Sequence, residues 1–199
     1  MTQTEMLGQK LVFGFHGTSL SPEFKALIRK YKIGNVILFL RNVVSADQLR
    51  RLCDEIRALI LEETGYPPFI IIDQEGGMVS RLPKDAVNVP GAMALAATGN
   101  PENARLASEI TIRQLKGLGA NFNMAPVLDV NSNASNPVIG VRSFGDNPVA
   151  VAAFGCASLA PYRGSGVLCC AKHFPGHGDT AVDSHLGLPR VDKTEQELE

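Results

Sequence analysis

The chain has 199 residues, of which 45% are hydrophobic and 20% charged, with a formal net charge of −1. This length supports one domain with a substantial core, so residues 1–199 are expected to form a single unit. The balanced charge argues against a nucleic-acid-binding face, and the longest apolar run, residues 36–40, is too short for a membrane span.

Apolar strands alternate with amphipathic helices along the chain. Helices are predicted to begin at Ser21-Pro22, Ser45, Asn100-Pro101 and Asn147-Pro148, because Ser and Asn cap helices and Pro suits the first helical position. Gln48 is expected to complete a capping box with Ser45, and Asp192 with Glu195 to begin a last helix. The predicted strands are residues 10–15, 35–40, 69–72, 121–127 and 166–174.

Strands that alternate with helices predict an α/β fold with parallel pairing. A doubly wound open sheet and an eight-stranded (β/α) barrel both fit this pattern. No G-x-G-x-x-G follows the first strand, which weakens a dinucleotide-binding sheet. Long polar loops follow the third, fourth and fifth strands, where a barrel enzyme builds its active site. Five strands are too few to close such a barrel, so the sequence predicts an incomplete barrel of about five βα units.

The four cysteines are Cys53, Cys156, Cys169 and Cys170. None forms a C-x-x-C pair, so a disulfide framework or a zinc cage is disfavoured. The first ten residues carry no secretory signal pattern. Buried, reduced thiols in a cytoplasmic protein fit these observations best.

Two polar loops carry candidate ligand-binding residues. Asp73 follows the third strand, where a carboxylate can accept hydrogen bonds from ligand hydroxyls; alternatively, Asp73 or Glu75 caps the Gly-Gly turn. Arg142 offers a planar fork of donors for a ligand oxygen. The alternative is that Asp129 and Arg142 pair with each other and hold the loop, and this is favoured for Asp129.

The third loop concentrates titratable groups, including three of the chain's four histidines. It contains Lys172, His173, His177, Asp183 and His185. Two chemistries fit: the histidines and Asp183 could bind zinc, or Asp183 could orient His185 as a proton-transfer group. The interrupting Pro and Gly residues weaken the metal hypothesis without removing it.

Four segments together resemble the signature loops of glycoside hydrolase family 3, in its β-N-acetylhexosaminidase branch. They are IDQEGG with SRL after it, NFNMAPVLDVN, NPVIGVRSFG and AKHFPGHGDTAVDSHLGLP. They occur in order and span residues 73–189. The resemblance implies a (β/α)8 TIM-type barrel, of which this chain is the N-terminal part.

The resemblance also implies roles at matching positions. Asp73 would bind sugar hydroxyls, while Arg142, Lys172 and His173 would hold N-acetylglucosamine. His185, backed by Asp183, would be the general acid/base of a retaining mechanism. The family's aspartate nucleophile lies in a later loop, so no residue here matches it. Consequently, the 199-residue chain alone is expected to be inactive.

The implied reaction is release of terminal β-linked N-acetylglucosamine, with peptidoglycan recycling as its setting and a glycan or muropeptide as the partner. No cofactor or metal is expected. Met78 stands where many members carry an arginine, whereas Arg81 keeps the second basic position. The alternatives are a metal-dependent hydrolase using His173, His177 and His185, a non-catalytic sugar-binding chain, or a β-glucosidase, which the Asp183–His185 element disfavours.

Overall fold

Five short parallel strands form one sheet in the order in which they occur along the chain. The computed structural model describes residues 2–191, 193, 194 and 196. A doubly wound sheet reverses its strand order, whereas successive βα units of a barrel do not. The sequential order therefore supports the predicted barrel type, with β1 and β5 at opposite edges of the described sheet. The strands are β1 (Val12–Phe13), β2 (Asn35–Leu38), β3 (Phe69–Ile72), β4 (Phe122–Asn123) and β5 (Leu168–Cys169).

Six helices connect and flank these strands in the described part of the chain. The predicted helix starts are confirmed: Ser21 and Ser45 accept hydrogen bonds from the third residue beyond them, at 3.2 Å each. Asn100 and Asn147 cap the two helices that open with proline. The helices are α1 (Gln3–Gly8), α2 (Pro22–Tyr31), α3 (Ala46–Thr64), α4 (Ala92–Ala96), α5 (Pro101–Leu118) and α6 (Pro148–Leu159). Short 3-10 turns occupy Leu40–Asn42, Gly140–Arg142 and Ala160–Tyr162.

Several predicted boundaries differ from the structure. The strand predicted at residues 121–127 ends at Asn123, because Pro126 has no N–H to continue a ladder. Beyond Asn123, an isolated parallel bridge between Val127 and Lys172 continues the pairing with the fifth strand. The predicted strands at 10–15 and 166–174 likewise shorten to two residues each.

The predicted capping box at Ser45 is incomplete, and the structure contains two helices that were not predicted. Gln48 does not bond to the backbone of Ser45; its side chain accepts from the N–H of Val44 at 2.9 Å instead. Helices α1 and α4 were not predicted, since each is short and α4 consists of small and apolar residues without a side-chain cap. The helix start predicted at Asp192 and Glu195 lies outside the described residues.

The main core lies between the sheet and helices α2, α3 and α5. The apolar stripe of α3 is buried along its length, and β3 is buried on both faces, with Ile70 at 0% exposure and Ile71, on the opposite face, at 5%. A second apolar cluster, which includes Phe144 and Phe154, packs α5 against α6 and the loop before α6. This packing fixes the strand ends from which the polar loops emerge.

The cysteines are less buried than predicted. All four are free thiols, but only Cys53 is buried, where burial raises the pKa of its thiol to about 12. Cys156 is exposed on α6, a helix whose apolar residues are not confined to one face. No helix among the described residues has the length and apolar character needed to cross a bilayer.

Candidate active site

The loop after β3 is held at its start by a buried asparagine on the neighbouring strand. Asn123 is fully buried; its side chain accepts from the N–H of Gln74 and donates to the Gln74 carbonyl, at 3.0 Å each. The Asn123 amide also donates to the hydroxyl of Tyr162 at 2.8 Å. Gln74 is thereby fixed in the interior, and its neighbours Asp73 and Glu75 are available to the strand-end surface.

The Gly76–Gly77 turn is closed by backbone hydrogen bonds and not by either carboxylate. Gly76 donates to the carbonyl of Val79 at 3.2 Å, and Gly77 to that of Val89 at 2.8 Å. Gly77 has a φ of +58°, and a Cβ there would lie 2.8 Å from the Cα of Gly91. The expectation that Asp73 or Glu75 caps this turn is therefore wrong. Both carboxylates instead face cations.

Asp73, Glu75, Arg142 and Lys172 form a partly buried group of two acidic and two basic side chains, called the charged cluster below. Lys172 Nζ lies 2.9 Å from Asp73 Oδ1 and 2.7 Å from Glu75 Oε1. Arg142 binds Glu75 with two hydrogen bonds, of 2.9 and 2.8 Å. Three different loops thus converge at the carboxyl edge of the sheet.

Burial and ion pairing have opposite effects on the pKa values of Glu75 and Arg142. Burial raises the pKa of Glu75, but the hydrogen bonds and charges of Arg142 and Lys172 outweigh it, so its pKa is lowered. The same pairing with Glu75 raises the pKa of Arg142. Glu75 and Arg142 are therefore charged at neutral pH. The side-chain exposure is 7% for Glu75 and 21% for Asp73.

The predicted pairing of Asp129 with Arg142 is wrong. Arg142 binds Glu75, and the Asp129 carboxylate accepts from His173 Nδ1 at 2.6 Å and from the backbone N–H of His177 at 2.7 Å. Asp129 is buried, which raises its pKa, but these hydrogen bonds dominate and lower it overall. Because a carboxylate only accepts, His173 carries its proton on Nδ1 and has Nε2 free for a ligand.

The predicted Asp183–His185 pair is formed. Asp183 Oδ1 accepts from the Nδ1 of His185 at 2.7 Å and from its backbone N–H at 2.8 Å. These two hydrogen bonds lower the pKa of Asp183. The His185 side chain is 78% exposed, which leaves its Nε2 edge towards solvent. No hydrogen bond among the described residues links this pair directly to the charged cluster.

The three loop histidines do not converge on one point. His177 uses both ring nitrogens within the loop, Nδ1 with Thr180 at 2.6 Å and Nε2 with Ser184 at 3.0 Å. His173 and His185 each commit Nδ1 to a carboxylate. Across the part of the chain that the structure describes, no three His, Cys, Asp or Glu side chains are grouped for a metal ion. The geometry therefore does not favour the metal-dependent alternative.

Two cavities flank the charged cluster. One, of about 390 Å³, is mostly apolar and reaches the Glu75–Arg142 pair from the side of α4 and α5. The other, of about 760 Å³, is lined by Asp129, Lys172 and His173. Of the predicted sugar-holding residues, Lys172 and His173 line the second cavity and Arg142 lines the first. Neither cavity alone therefore contains the complete predicted set.

Sequence reasoning missed the parts that Glu75 and Asp129 play. Glu75 anchors both cations of the cluster, and Asp129 fixes the ring of His173. A local signal existed for Glu75, which lies two residues after Asp73 and can share its surface. For Asp129 the sequence carried no such signal, since its partners are more than forty residues away.

Comparison with known proteins gives the family. The profile of the glycosyl hydrolase family 3 N-terminal domain matches residues 3–199. Beta-hexosaminidase A of Pseudoalteromonas piscicida is 42% identical over 96% of this chain and 36% of its own length.

Two solved structures resemble the fold closely. A glycoside hydrolase family 3 β-N-acetylglucosaminidase from Paenibacillus superimposes with a TM-score of 0.95 at 42% identity, covering 100% of this chain and 38% of that one. NagZ from Neisseria gonorrhoeae, in complex with N-trifluoroacetyl-D-glucosamine, gives a TM-score of 0.84 at 33% identity, covering 94% of this chain and 56% of that one. The chain thus spans between about a third and somewhat over half the length of these relatives. It belongs to glycosyl hydrolase family 3.

Proposed function

We propose that this chain supplies the sugar-holding residues and the general acid/base of a retaining β-N-acetylhexosaminidase. The observation that carries the proposal is the 2.7 Å contact between Asp183 and His185 Nδ1, in the loop that also contributes Lys172 and His173. The carboxylate fixes the tautomer of His185, so Nε2 can accept a proton and deliver it to a glycosidic oxygen.

The charged cluster and His173 would hold the terminal N-acetylglucosamine. Asp73 is its more exposed carboxylate and would accept hydrogen bonds from sugar hydroxyls. Arg142, Lys172 and His173 Nε2 would contact sugar oxygens from the other sides. The relative from Neisseria gonorrhoeae binds N-trifluoroacetyl-D-glucosamine, which supports an N-acylated glucosamine as the ligand.

The chemistry is protonation of the leaving oxygen, followed by activation of water against a glycosyl-enzyme intermediate. The family resemblance gives the nucleophile as an aspartate in a later loop, and no described residue takes that role. We further propose a cytoplasmic setting with muropeptides from peptidoglycan recycling as substrates. No cofactor enters this proposal.

The test uses the complete gene product with 4-nitrophenyl N-acetyl-β-D-glucosaminide, and the corresponding β-glucoside for comparison. Removing a general acid/base lowers turnover by roughly 10²- to 10⁴-fold, so His185→Ala should lose at least about 100-fold in kcat. A 2,4-dinitrophenyl leaving group needs little protonation and should recover much of the glycosylation rate. An unchanged kcat in His185→Ala, or sugar binding without turnover by the wild type, would contradict the proposal.

A further inference from the structure

The Asp183–His185 pair is held within its own loop by contacts of short range. Both hydrogen bonds between the two residues span a sequence separation of two, and His185 is largely exposed. Such a pair can keep its internal geometry while the loop moves as a whole. Its position relative to the sugar-holding residues must therefore come from a contact outside residues 183–185.

His177 provides that contact. Its Nε2 lies 3.0 Å from the Oγ of Ser184, the residue between Asp183 and His185. Among residues 2–191, 193, 194 and 196, this is the hydrogen bond that joins the 183–185 segment to a preceding part of the loop.

The backbone of His177 is anchored on both sides. Its N–H donates to the buried carboxylate of Asp129 at 2.7 Å, and its carbonyl accepts from Asn136 Nδ2 at 2.7 Å. The Asn136 amide also donates to the carbonyl of Thr180 at 2.9 Å. Asn136 and Thr180 are both buried, so this anchor lies inside the protein and not on a mobile surface.

Asn136 connects this anchor to the loop that carries Arg142. Its Oδ1 accepts from the backbone N–H groups of Val138 and Ile139, at 2.9 and 2.7 Å. Arg142 in turn donates its backbone N–H to the carbonyl of Ile139 at 2.8 Å. A continuous set of hydrogen bonds therefore runs from the sugar-holding Arg142 to the segment of the acid/base.

Hydroxyl groups satisfy both ring nitrogens of His177. Thr180 Oγ1 lies 2.6 Å from Nδ1 and 3.0 Å from the His177 carbonyl oxygen, and Ser184 Oγ lies 3.0 Å from Nε2. Because a hydroxyl can donate or accept, one ring nitrogen donates and the other accepts in either tautomer. Both ring nitrogens of His177 are hydrogen-bonded within the protein, so neither is free to bind a metal ion or a ligand.

We propose that His177 is a positioning residue, which sets the Asp183–His185 pair over the bound sugar through its hydrogen bond to Ser184. The inference rests on the proposed function, and it adds a role for a histidine that the reaction itself does not use. It predicts a loss in kcat with little change in KM, because the sugar-holding residues keep their own contacts. Displacement of a reacting group by about 1 Å can cost about 100-fold in rate.

The kinetic test compares variants of the complete gene product. His177→Ala and Ser184→Ala should each lower kcat about 10- to 100-fold, with KM within about twofold. The double variant should be no slower than the worse single one, because both remove the same hydrogen bond. His177→Gln, whose amide can reach Ser184, should recover part of the loss. Ser135→Ala is the matched control, since this exposed serine uses its backbone N–H in its hydrogen bond to Asn133.

A second measurement is independent of turnover. In protein labelled with 15N-histidine, the backbone order parameter of His185 should fall from about 0.8 to below about 0.6 in His177→Ala and in Ser184→Ala. A wild type that does not hydrolyse the substrate would refute the proposed function, while the order parameter would still decide the role of His177. Unchanged kcat in an active enzyme, or an unchanged order parameter, would overturn the inference. If His177→Ala fails to fold, the exposed Ser184→Ala carries both measurements.

Discussion

Replacing Glu75 in the charged cluster is expected to lower the free energy of unfolding of the protein. Its carboxylate receives two hydrogen bonds from Arg142 and one contact of 2.7 Å from Lys172, with only 7% of the side chain exposed. Removing one partner of a buried ion pair costs about 3–5 kcal/mol. Glu75→Gln keeps one oxygen for Arg142, which recovers about 1 kcal/mol. We therefore expect the free energy of unfolding to fall by about 2–4 kcal/mol.

Urea denaturation followed by circular dichroism measures this loss. With a slope of about 2 kcal/mol per molar, a loss of about 3 kcal/mol shifts the midpoint by about 1.5 M. The matched control is Glu55→Gln, which removes a partly exposed pair with Lys25 and should cost less than about 1 kcal/mol. Equal midpoints for wild type and Glu75→Gln at pH 7 would refute the reasoning.

The difference in stability between the wild type and Glu75→Gln should depend on pH, and the lowered pKa of Glu75 fixes the direction. The pKa of Glu75 is lower in the folded protein than in the unfolded chain, despite the opposing effect of burial. Its contribution is therefore complete above the unfolded pKa of about 4.3 and is lost as the pH falls through the folded pKa. The difference between wild type and Glu75→Gln should shrink below about pH 4. A difference that instead grew towards acid would contradict the assigned pairing.

Two further variants test the loops around the site. His173 and His177 donate to different oxygens of Asp129, so Asp129→Asn places its amide NH₂ against the donor of one of them. N-acetylglucosamine affinity measured by calorimetry and the melting temperature should both fall, and unchanged values would exclude the assigned role of Asp129. Gly77→Ala should destabilise more than Gly65→Ala in urea denaturation. Both glycines have positive φ, but only the new Cβ at Gly77 meets backbone, at 2.8 Å, and equal losses would show that the turn can relax.

The order of elements was predictable because its signals are local. Ser21, Ser45, Asn100 and Asn147 each cap the helix that the sequence assigns to them, since a cap needs only its own first turn. The periodic apolar residues of α3 likewise describe one helix face. Short strand lengths were not predictable, because an apolar run continues past the point where the neighbouring strand stops pairing.

The partners of the charged residues were less predictable for the opposite reason. Arg142 and Glu75 are separated by 67 positions, and Lys172 and Asp73 by 99, so no spacing rule connects them. The sequence placed all of these residues at the carboxyl ends of strands. It favoured Asp129 as the partner of Arg142, whereas the structure pairs Arg142 with Glu75. Both carboxylates follow strands that end at the same edge of the sheet.

The two carboxylates after β3 differ in their exposure and in the number of cations that they contact. Glu75 is nearly enclosed and contacts both cations, whereas Asp73 contacts Lys172 and retains three times the exposed fraction. A ligand hydroxyl can therefore reach Asp73 without breaking the ion pairs of Glu75. Because the cluster contains two positive and two negative groups, it can bind a neutral sugar without leaving an uncompensated buried charge. Glu75 thus holds Arg142 and Lys172 in place through its ion pairs, and Asp73 is the carboxylate that we propose accepts hydrogen bonds from the sugar.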